Sequence, residues 1–157
     1  MSALAIRDAT RADIPAVVAL LADDEKGRVR ENAGDTLDAG YLEAFAAITR
    51  DPNQRLLVAE REGVIVGTFQ LSLLPGLSFK GAWRGQIEAV RIASHLRGQG
   101  LGRLMIEWAI ERCREHGCRM VQLTTHKTRG RAHAFYERLA FEPSHIGMKL
   151  HLGGGAV

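Results

Sequence analysis

The sequence predicts an α+β fold, in which a mixed and mostly antiparallel sheet is flanked by helices. Two observations predict this class. Apolar residues alternate with polar ones in the short segments, as in strands, and recur every three or four positions in the longer segments, as in helices. The predicted elements follow the order β-α-α-β-β-β-α-β-α-β, which differs from the regular alternation of a doubly wound sheet. We expect six to seven strands and about four helices.

The first half of the chain is predicted to contain a strand, two helices and a hairpin. Thr10 and Asp13 are helix start signals, and the pair Glu62-Gly63 suits a tight turn between two strands. The predicted elements are a strand at 4–7, a helix with its apolar face at Ile14, Val17, Val18 and Leu21, a polar connection at 22–35, a helix at 36–49, and strands at 55–59 and 64–74.

The second half is predicted to alternate between strands and helices. Gly117 follows a long apolar repeat and is typical of the residue that ends a helix. The predicted elements are a loop at 75–85, a strand at 86–93, a helix at 98–116, a strand at 120–125, a helix at 131–139 and a last strand at 144–152.

Length and composition indicate an ordinary globular protein. The chain has 157 residues, of which 46% are hydrophobic and 25% charged. We expect a single domain at 3–152 and a flexible tail at 153–157. The net charge of +3 is spread along the chain and forms no basic stripe, which argues against a nucleic-acid partner. No signal sequence or membrane-spanning run is visible, so we expect a cytoplasmic protein without a membrane partner.

Six residues from Arg97 to Gly102 form a glycine-rich connection between a predicted strand and a predicted helix. Three glycines remove the Cβ atoms that would keep the backbone away from a ligand. The free N–H groups of the first helical turn and the positive end of the helix dipole attract a phosphate or pyrophosphate. Arg97 adds a bidentate donor at the rim. This loop therefore predicts a phosphorylated ligand, interpreted as a cofactor.

Two other phosphate-binding loops do not fit these residues. A P-loop requires Lys-Ser or Lys-Thr after its glycines, and a dinucleotide fingerprint requires a last glycine where Arg103 or Met105 stands. Arg97, Gly100 and Gly102 match Arg/Gln-x-x-Gly-x-Gly/Ala. That motif is the acyl-coenzyme A pyrophosphate loop of the GNAT superfamily of N-acetyltransferases, which the chain resembles. A helix that merely begins in a glycine-rich turn is the alternative, and the flanking segments disfavour it.

The resemblance covers nearly the whole chain. The segment 87–92 stands where the family has its fourth strand, and the segment 132–141 resembles the family's Ala-x-x-Phe-Tyr-x-x-x-Gly-Phe. The chain departs from the pattern at two positions. Arg129 stands where many relatives carry Asn, which affects the expected cofactor contacts, and Ala140 replaces the usual Gly of a turn.

The resemblance implies acetyl-coenzyme A as cosubstrate, no metal, and direct transfer of the acetyl group to a primary amine in a ternary complex. In the family the fourth and fifth strands splay apart, and the pantetheine arm pairs with the fourth strand as an added strand would. The backbone there could also polarise the thioester carbonyl. The cofactor-binding residues expected by position are Val90, Arg91, Ile92, Arg97, Gly98, Gln99, Gly100, Leu101, Gly102 and Arg103.

Two side chains are the candidate catalytic residues. Strand alternation places Glu88 on the same face as Val90 and Ile92, where partial burial would favour its action as general base. A structural glutamate, one turned to solvent by a bulge, and deprotonation through water remain alternatives. The resemblance implies that the phenol of Tyr136 protonates the departing sulfur as general acid. A packed tyrosine with a bonded hydroxyl is the alternative.

No motif names the acceptor. The resemblance implies that segments 22–35 and 75–85 shape its site, where Asp24 could attract a cationic amine and Phe79 and Trp83 could line a pocket or a dimer contact. The spacing of the histidines predicts no metal site. We expect a small-molecule amine and a homodimer. The alternatives are acetylation of a protein N-terminus or lysine, and a non-catalytic sensor or partner module that binds acyl-coenzyme A.

Overall fold

A five-stranded sheet lies at the centre of the molecule. The computed structural model describes residues 3–153. The strands follow the order β1-β2-β3-β4-β5, and all neighbours are antiparallel except β4 and β5, which run parallel. The strands are β1 (Ala5–Asp8), β2 (Gln54–Arg61), β3 (Val64–Leu74), β4 (Arg84–Ile92) and β5 (Met120–Leu123). The predicted α+β class with a mixed sheet is confirmed.

Helices flank both faces of this sheet. They are α1 (Ile14–Ala22), α2 (Glu25–Arg30), α3 (Ala39–Arg50), α4 (Ser78–Gly81), α5 (Leu101–Glu115) and α6 (Gly130–Glu137), with short 3₁₀ turns at Arg11–Asp13 and Ser94–Leu96. Within residues 3–153 the counts are therefore five strands and six helices, whereas six to seven strands and about four helices were predicted. No helix in this range is long and apolar enough to cross a bilayer.

Helix α2 lies in the segment predicted as a polar connection. Its six residues carry no apolar repeat, so hydrophobic spacing gives no signal for it. Asp24 starts the helix by accepting a hydrogen bond from the N–H of Gly27. Gly27 is buried against the end of α1, where any added Cβ would overlap the Leu21 carbonyl. Local capping and close packing, which periodicity does not reveal, therefore form this helix.

The strand predicted at 144–152 is not formed. This segment pairs with no strand among the described residues. Four apolar side chains at alternate positions are 86% to 92% exposed: Ile146, Met148, Leu150 and Leu152. The alternation is strand-like, but a strand also needs an edge with which to pair. The flexible tail predicted at 153–157 lies, apart from Gly153, outside the described residues.

Helix α5 covers one face of the sheet and forms the main core with it. Leu57, Phe69 and Ile87 from the strands pack with Met105 and Ile106 of α5, all fully or almost fully buried. Helices α1 and α3 pack against the opposite face. Burial of these apolar side chains stabilises each of them by about 1.5–3 kcal/mol. The core therefore fixes the end of β4 against the start of α5, where the glycine-rich loop lies.

Candidate active site

Strands β4 and β5 separate in the middle of β4. Their ladder runs from Arg84 opposite Met120 to Ile87 opposite Leu123 and ends there, while β4 continues to Ile92. The edge of β4 beyond Ile87 therefore borders an open cleft. Such an edge offers unpaired N–H and C=O groups to any extended molecule that lies along it.

A bulge at Ala89 changes which way the β4 side chains point. Ala89 has a φ of 52°, and the register against β3 shifts between Glu88 and Arg91. The extra residue reverses the alternation, so Glu88 lies on the face opposite to Val90 and Ile92. The prediction that Glu88 interrupts their apolar stripe is wrong. Glu88 is exposed, and the partial burial expected for it is absent.

The main chain of β4 faces the cleft at two of the three predicted positions. Ala93 donates its N–H to Val66 of β3, and Arg91 lies opposite Thr68. Because main-chain groups alternate between the two edges of a strand, Val90 and Ile92 direct theirs toward the cleft and Arg91 toward β3. The amide of Arg91 is thus directed away from the position where a pantetheine arm would lie.

The glycine-rich loop leads directly from this edge into α5. Gly98 and Gly100 adopt left-handed φ angles of 80° and 83°, and a Cβ added to either would meet no atom within 4 Å. The first turn of α5 begins with the bond from the Leu104 N–H to the Gly100 carbonyl. The N–H groups of residues 101–103 precede it and have no acceptor within the helix. The loop thus has the free donors and the space that a pyrophosphate needs.

Arg97 fixes this loop to the end of α1. Its Nε and Nη2 donate to the carbonyls of Ile92, at 3.1 Å, and Asp23, at 2.6 Å. The Asp23 carboxylate accepts the N–H of Ser94, which lowers the pKa of Asp23. Arg97 is half-exposed, and these bonds give it a loop-positioning role in addition to the predicted contact at the rim. Arg103, farther along, pairs with Glu107 on the helix surface.

Tyr136 lies on α6 with its ring between Phe135 and Phe141. Both ring pairs meet edge to face, with centroids 5.0 Å and 5.7 Å apart. Burial raises the pKa of Tyr136, and the positive charges of Arg91 and Arg129 oppose that shift. The hydroxyl donates to no described residue, although its oxygen is not fully buried. A tyrosine in this state keeps its proton at neutral pH and can donate it.

Asp24 is surrounded by two arginines. Its Oδ2 lies 2.9 Å from Arg129 Nη2 and 3.5 Å from Arg91 Nε. Burial by itself would raise the pKa of Asp24, but the Gly27 N–H and the two arginine charges together lower it. Asp24 is therefore an ionised carboxylate that these arginines already neutralise, and it does not present the free negative charge predicted for attracting an amine.

Glu88 lies at the end of a polar cleft between α3 and the sheet. The cleft has a volume of about 380 Å³. Three side chains form a hydrogen-bonded group in it, because Gln54 Oε1 accepts from Gln70 Nε2 at 3.0 Å and from Ser72 Oγ at 2.7 Å. Gln86, beside them, accepts from Gln122. This cleft opens where β4 and β5 separate, which makes it the candidate acceptor site.

Two predicted acceptor residues lie elsewhere. Trp83 packs edge to face on His116 at the end of α5, with ring centroids 4.8 Å apart. Phe79 is 62% exposed in α4, next to Trp83 in the chain. The glycine-rich loop is at the other end of α5, whose 15 residues span about 22 Å. Phe79 and Trp83 are thus separated from the glycine-rich loop by the length of this helix, and neither lines the polar cleft.

The sequence did not indicate that the side chain of Arg91, or the hydrogen-bonded group of Gln54, Gln70 and Ser72, belongs to the candidate site. Arg91 was predicted for its backbone alone, and its partner Asp24 is 67 residues away in the chain. The residues Gln54, Gln70, Gln86 and Gln122 lie on four strands and share no motif. The only signal in the sequence is polar residues at alternate positions of β3, Gln70 and Ser72, within an otherwise apolar strand.

Comparisons with known proteins identify the family. The model of the acetyltransferase (GNAT) family matches residues 17–141. This range contains the separated strands, the glycine-rich loop and Tyr136. The chain belongs to the GNAT acetyltransferase family.

Three relatives illustrate this membership. The aminoalkylphosphonate N-acetyltransferase of Salmonella typhimurium is 31% identical over 141 residues, which cover 90% of this chain and 86% of the relative. The structure described as a transcriptional regulator from Bacillus halodurans C-125 has a TM-score of 0.92 and 45% identity, covering 96% of this chain and 100% of that one. A putative acetyltransferase from Agrobacterium tumefaciens has a TM-score of 0.79 and 28% identity, covering 94% and 99%.

Proposed function

We propose that this protein transfers the acetyl group of acetyl-coenzyme A to a small-molecule primary amine. The observation that carries the proposal is the continuous path from the free edge of β4 into the glycine-rich loop. An extended pantetheine arm would pair with the main chain of Val90 and Ile92, and the pyrophosphate would meet the first N–H groups of α5. The open space around Gly98 and Gly100 fits this ligand.

The chemistry requires the nitrogen of the acceptor ammonium to lose two protons and the sulfur of coenzyme A to gain one. Acetyl-coenzyme A supplies an acetyl group activated as a thioester. Glu88 lies where β4 and β5 part and would accept the proton of the incoming ammonium, directly or through water. Main-chain N–H groups of β4 would orient and polarise the carbonyl that is attacked. As the C–N bond forms and the C–S bond breaks, Tyr136 would give its proton to the sulfur and regain one from the nitrogen of the new amide.

The volume of the cleft supports a small acceptor. A volume of about 380 Å³ suits a metabolite, since ligand pockets commonly measure about 300–1,000 Å³. The Salmonella relative, whose name specifies an aminoalkylphosphonate, acts on an acceptor of this size. A protein N-terminus or lysine would need an open groove along the surface.

Homodimerisation is part of the proposal. The apolar side chains of segment 144–152 lie on one side of an extended chain and are almost fully exposed. Face-to-face packing of this apolar side on the same segment of a second copy would bury both apolar faces in a symmetric contact.

The function is tested by the release of free thiol from acetyl-coenzyme A in the presence of a panel of primary amines. We expect release with at least one small amine and a lower rate with peptides. Binding of acetyl-coenzyme A without thiol release for any amine or peptide would favour the non-catalytic sensor instead.

Glu88→Gln should flatten the acidic limb of the pH–rate profile. A limb that stays in place would assign the base to water.

A further inference from the structure

We propose that Arg91 and Arg129 bind an acidic group of the acceptor, so that the substrate is a short amine that also carries an oxyanion. The inference rests on the proposed function and assigns the substrate class. Phosphonate, phosphate and carboxylate share the required chemistry, which is a compact anion able to accept two hydrogen bonds from one guanidinium.

The first argument is the balance of charge around Asp24. Two guanidinium groups share this single carboxylate. Its Oδ1 accepts the Gly27 N–H and its Oδ2 accepts Arg129 Nη2, so both oxygens already have partners. Arg91 also acts on the Glu31 carboxylate, but Glu31 is already paired with Arg30, so one positive charge of the pair remains in excess.

The second argument is the unmet hydrogen bonding of Arg91. Its side chain is only 11% exposed, and Nη1 donates to the carbonyl of Val90 at 2.9 Å. The Nε atom is buried without any hydrogen-bond acceptor, because Asp24 lies too far from it, at 3.5 Å. Burying a charged donor without a partner is costly. The Nη2 atom is not among the buried atoms and has no hydrogen-bond partner in the described residues, so it is the donor of Arg91 that a bound oxyanion would meet.

The third argument is the position of the two arginines relative to Glu88. Glu88 lies opposite Gln70 and Arg91 opposite Thr68, so both side chains point to the same face of the sheet. Two residues of strand separate them along β3, a distance of about 7 Å. This spacing fits an ammonium beside Glu88 joined by two or three carbon atoms to an oxyanion beside Arg91. The substrate would then lie next to Tyr136, on which both arginine charges act.

The test compares matched acceptors in the thiol-release assay. They are a short aminoalkylphosphonate, the amino acid with the same carbon chain, and the amino alcohol of that length, which lacks the anion. We expect the wild-type protein to have a kcat/KM at least about 30-fold higher for one of the two anionic amines than for the amino alcohol. The anionic amine with the higher kcat/KM identifies the acid group that the site binds.

The variants Arg129→Gln and Arg91→Lys locate the anion. Each should raise the KM of the anionic amine by at least about tenfold and leave the KM of acetyl-coenzyme A within about twofold. Arg138→Gln is the control and should change neither value, because the exposed Arg138 lies at the opposite end of α6 from Arg129. Two variants are used because loss of the buried Arg91 guanidinium affects packing, whereas Arg129 is more exposed.

Two results would overturn the inference while leaving the proposed function intact. One is equal wild-type activity on the amino alcohol and both anionic amines. The other is a KM increase for acetyl-coenzyme A in both variants, which would assign these arginines to the cofactor. Absence of acetyl-coenzyme A binding by the wild-type protein would instead contradict the proposed function itself.

Discussion

In the proposed mechanism, proton transfer depends on Tyr136 and Glu88, which have contrasting surroundings. Burial raises the pKa of Tyr136, so its neutral form persists to higher pH than that of a free tyrosine. Glu88 is exposed, on the outside of the bulge at Ala89. The proposed acid, Tyr136, is thus largely buried, whereas the proposed base, Glu88, is exposed to solvent. Water could therefore carry the proton from the amine to the carboxylate.

Replacing Tyr136 with Phe should lower kcat by about 100-fold, because the departing sulfur would lose its proton donor. The KM for acetyl-coenzyme A should change by less than about threefold, since the ring would still pack between its neighbours. Steady-state kinetics of thiol release measure both values. Tyr41→Phe is the matched control, as Tyr41 is the only other tyrosine and its hydroxyl donates to Glu31, the residue that follows α2. An unaltered kcat in Tyr136→Phe would remove this residue from the mechanism.

Individual site residues were predictable where they belong to a local motif. Gly98, Gly100 and Tyr136 occupy fixed places in short segments. The structure places the two glycines between β4 and α5, and Tyr136 on α6. The orientation of Glu88 was not predictable, because one inserted residue reverses the side of every side chain that follows. The pairing of Asp24 with Arg129 joins residues 105 positions apart. Such contacts exist only after folding.

Strand β4 and helix α5 form the framework that holds the loop between them. Their close approach requires a glycine at position 85, because a Cβ there would overlap the Sγ of Cys113 in α5. Burial also raises the pKa of Cys113 to about 12, which keeps this thiol neutral. The contact is thus an apolar one, and it holds α5 against β4 at the end of the helix opposite to the glycine-rich loop.

Gly85→Ala should lower the free energy of unfolding by about 1–3 kcal/mol, since α5 would have to shift away from β4. Gly40→Ala is the matched control. Gly40 lies in α3, has no atom within 4 Å of an added Cβ, and should gain about 0.5–1 kcal/mol from helix propensity. Urea unfolding measures both changes. Equal stability of the two variants would contradict the tight packing of α5 on β4.

Most elements could be predicted because their apolar spacing is regular over several turns or residues. The strands β2 to β4 and the helix α5 have such patterns, and the hairpin turn at Glu62-Gly63 has the expected residues. Short elements escaped prediction. Helix α2 depends on its Asp24 cap, and α4 contains Phe79 and Lys80 at positive φ, which no periodicity reveals.

At the scale of the whole molecule, the segment 144–152 stands out because its apolar side chains remain exposed in the single chain. It has the alternation of a strand and passes beside Thr124, just after β5, but it pairs with no strand within the described residues. Alternating apolar residues indicate an extended backbone, but they do not indicate which strand edge the segment pairs with. This is the physical reason why the predicted last strand is missing here.

We therefore expect the full chain to have the mass of two copies in light scattering at micromolar concentration. The double substitution Met148→Glu and Leu150→Glu should reduce that mass to one copy, because two charges would enter the apolar contact. Lys149→Glu, on the alternate side of the segment, should leave the mass unchanged. A single-chain mass for the wild-type protein would contradict the proposed dimer.

The binding of acetyl-coenzyme A by the glycine-rich loop is the claim on which the proposed chemistry rests. Calorimetric titration of Gly100→Leu and Gly117→Leu tests it most directly. Both glycines have a φ of 83° and open space for a Cβ, and they lie at opposite ends of α5, so the strain of each substitution is matched. We predict that Gly100→Leu weakens binding at least about 100-fold while Gly117→Leu keeps the wild-type affinity. Equal affinity in both variants would contradict the account.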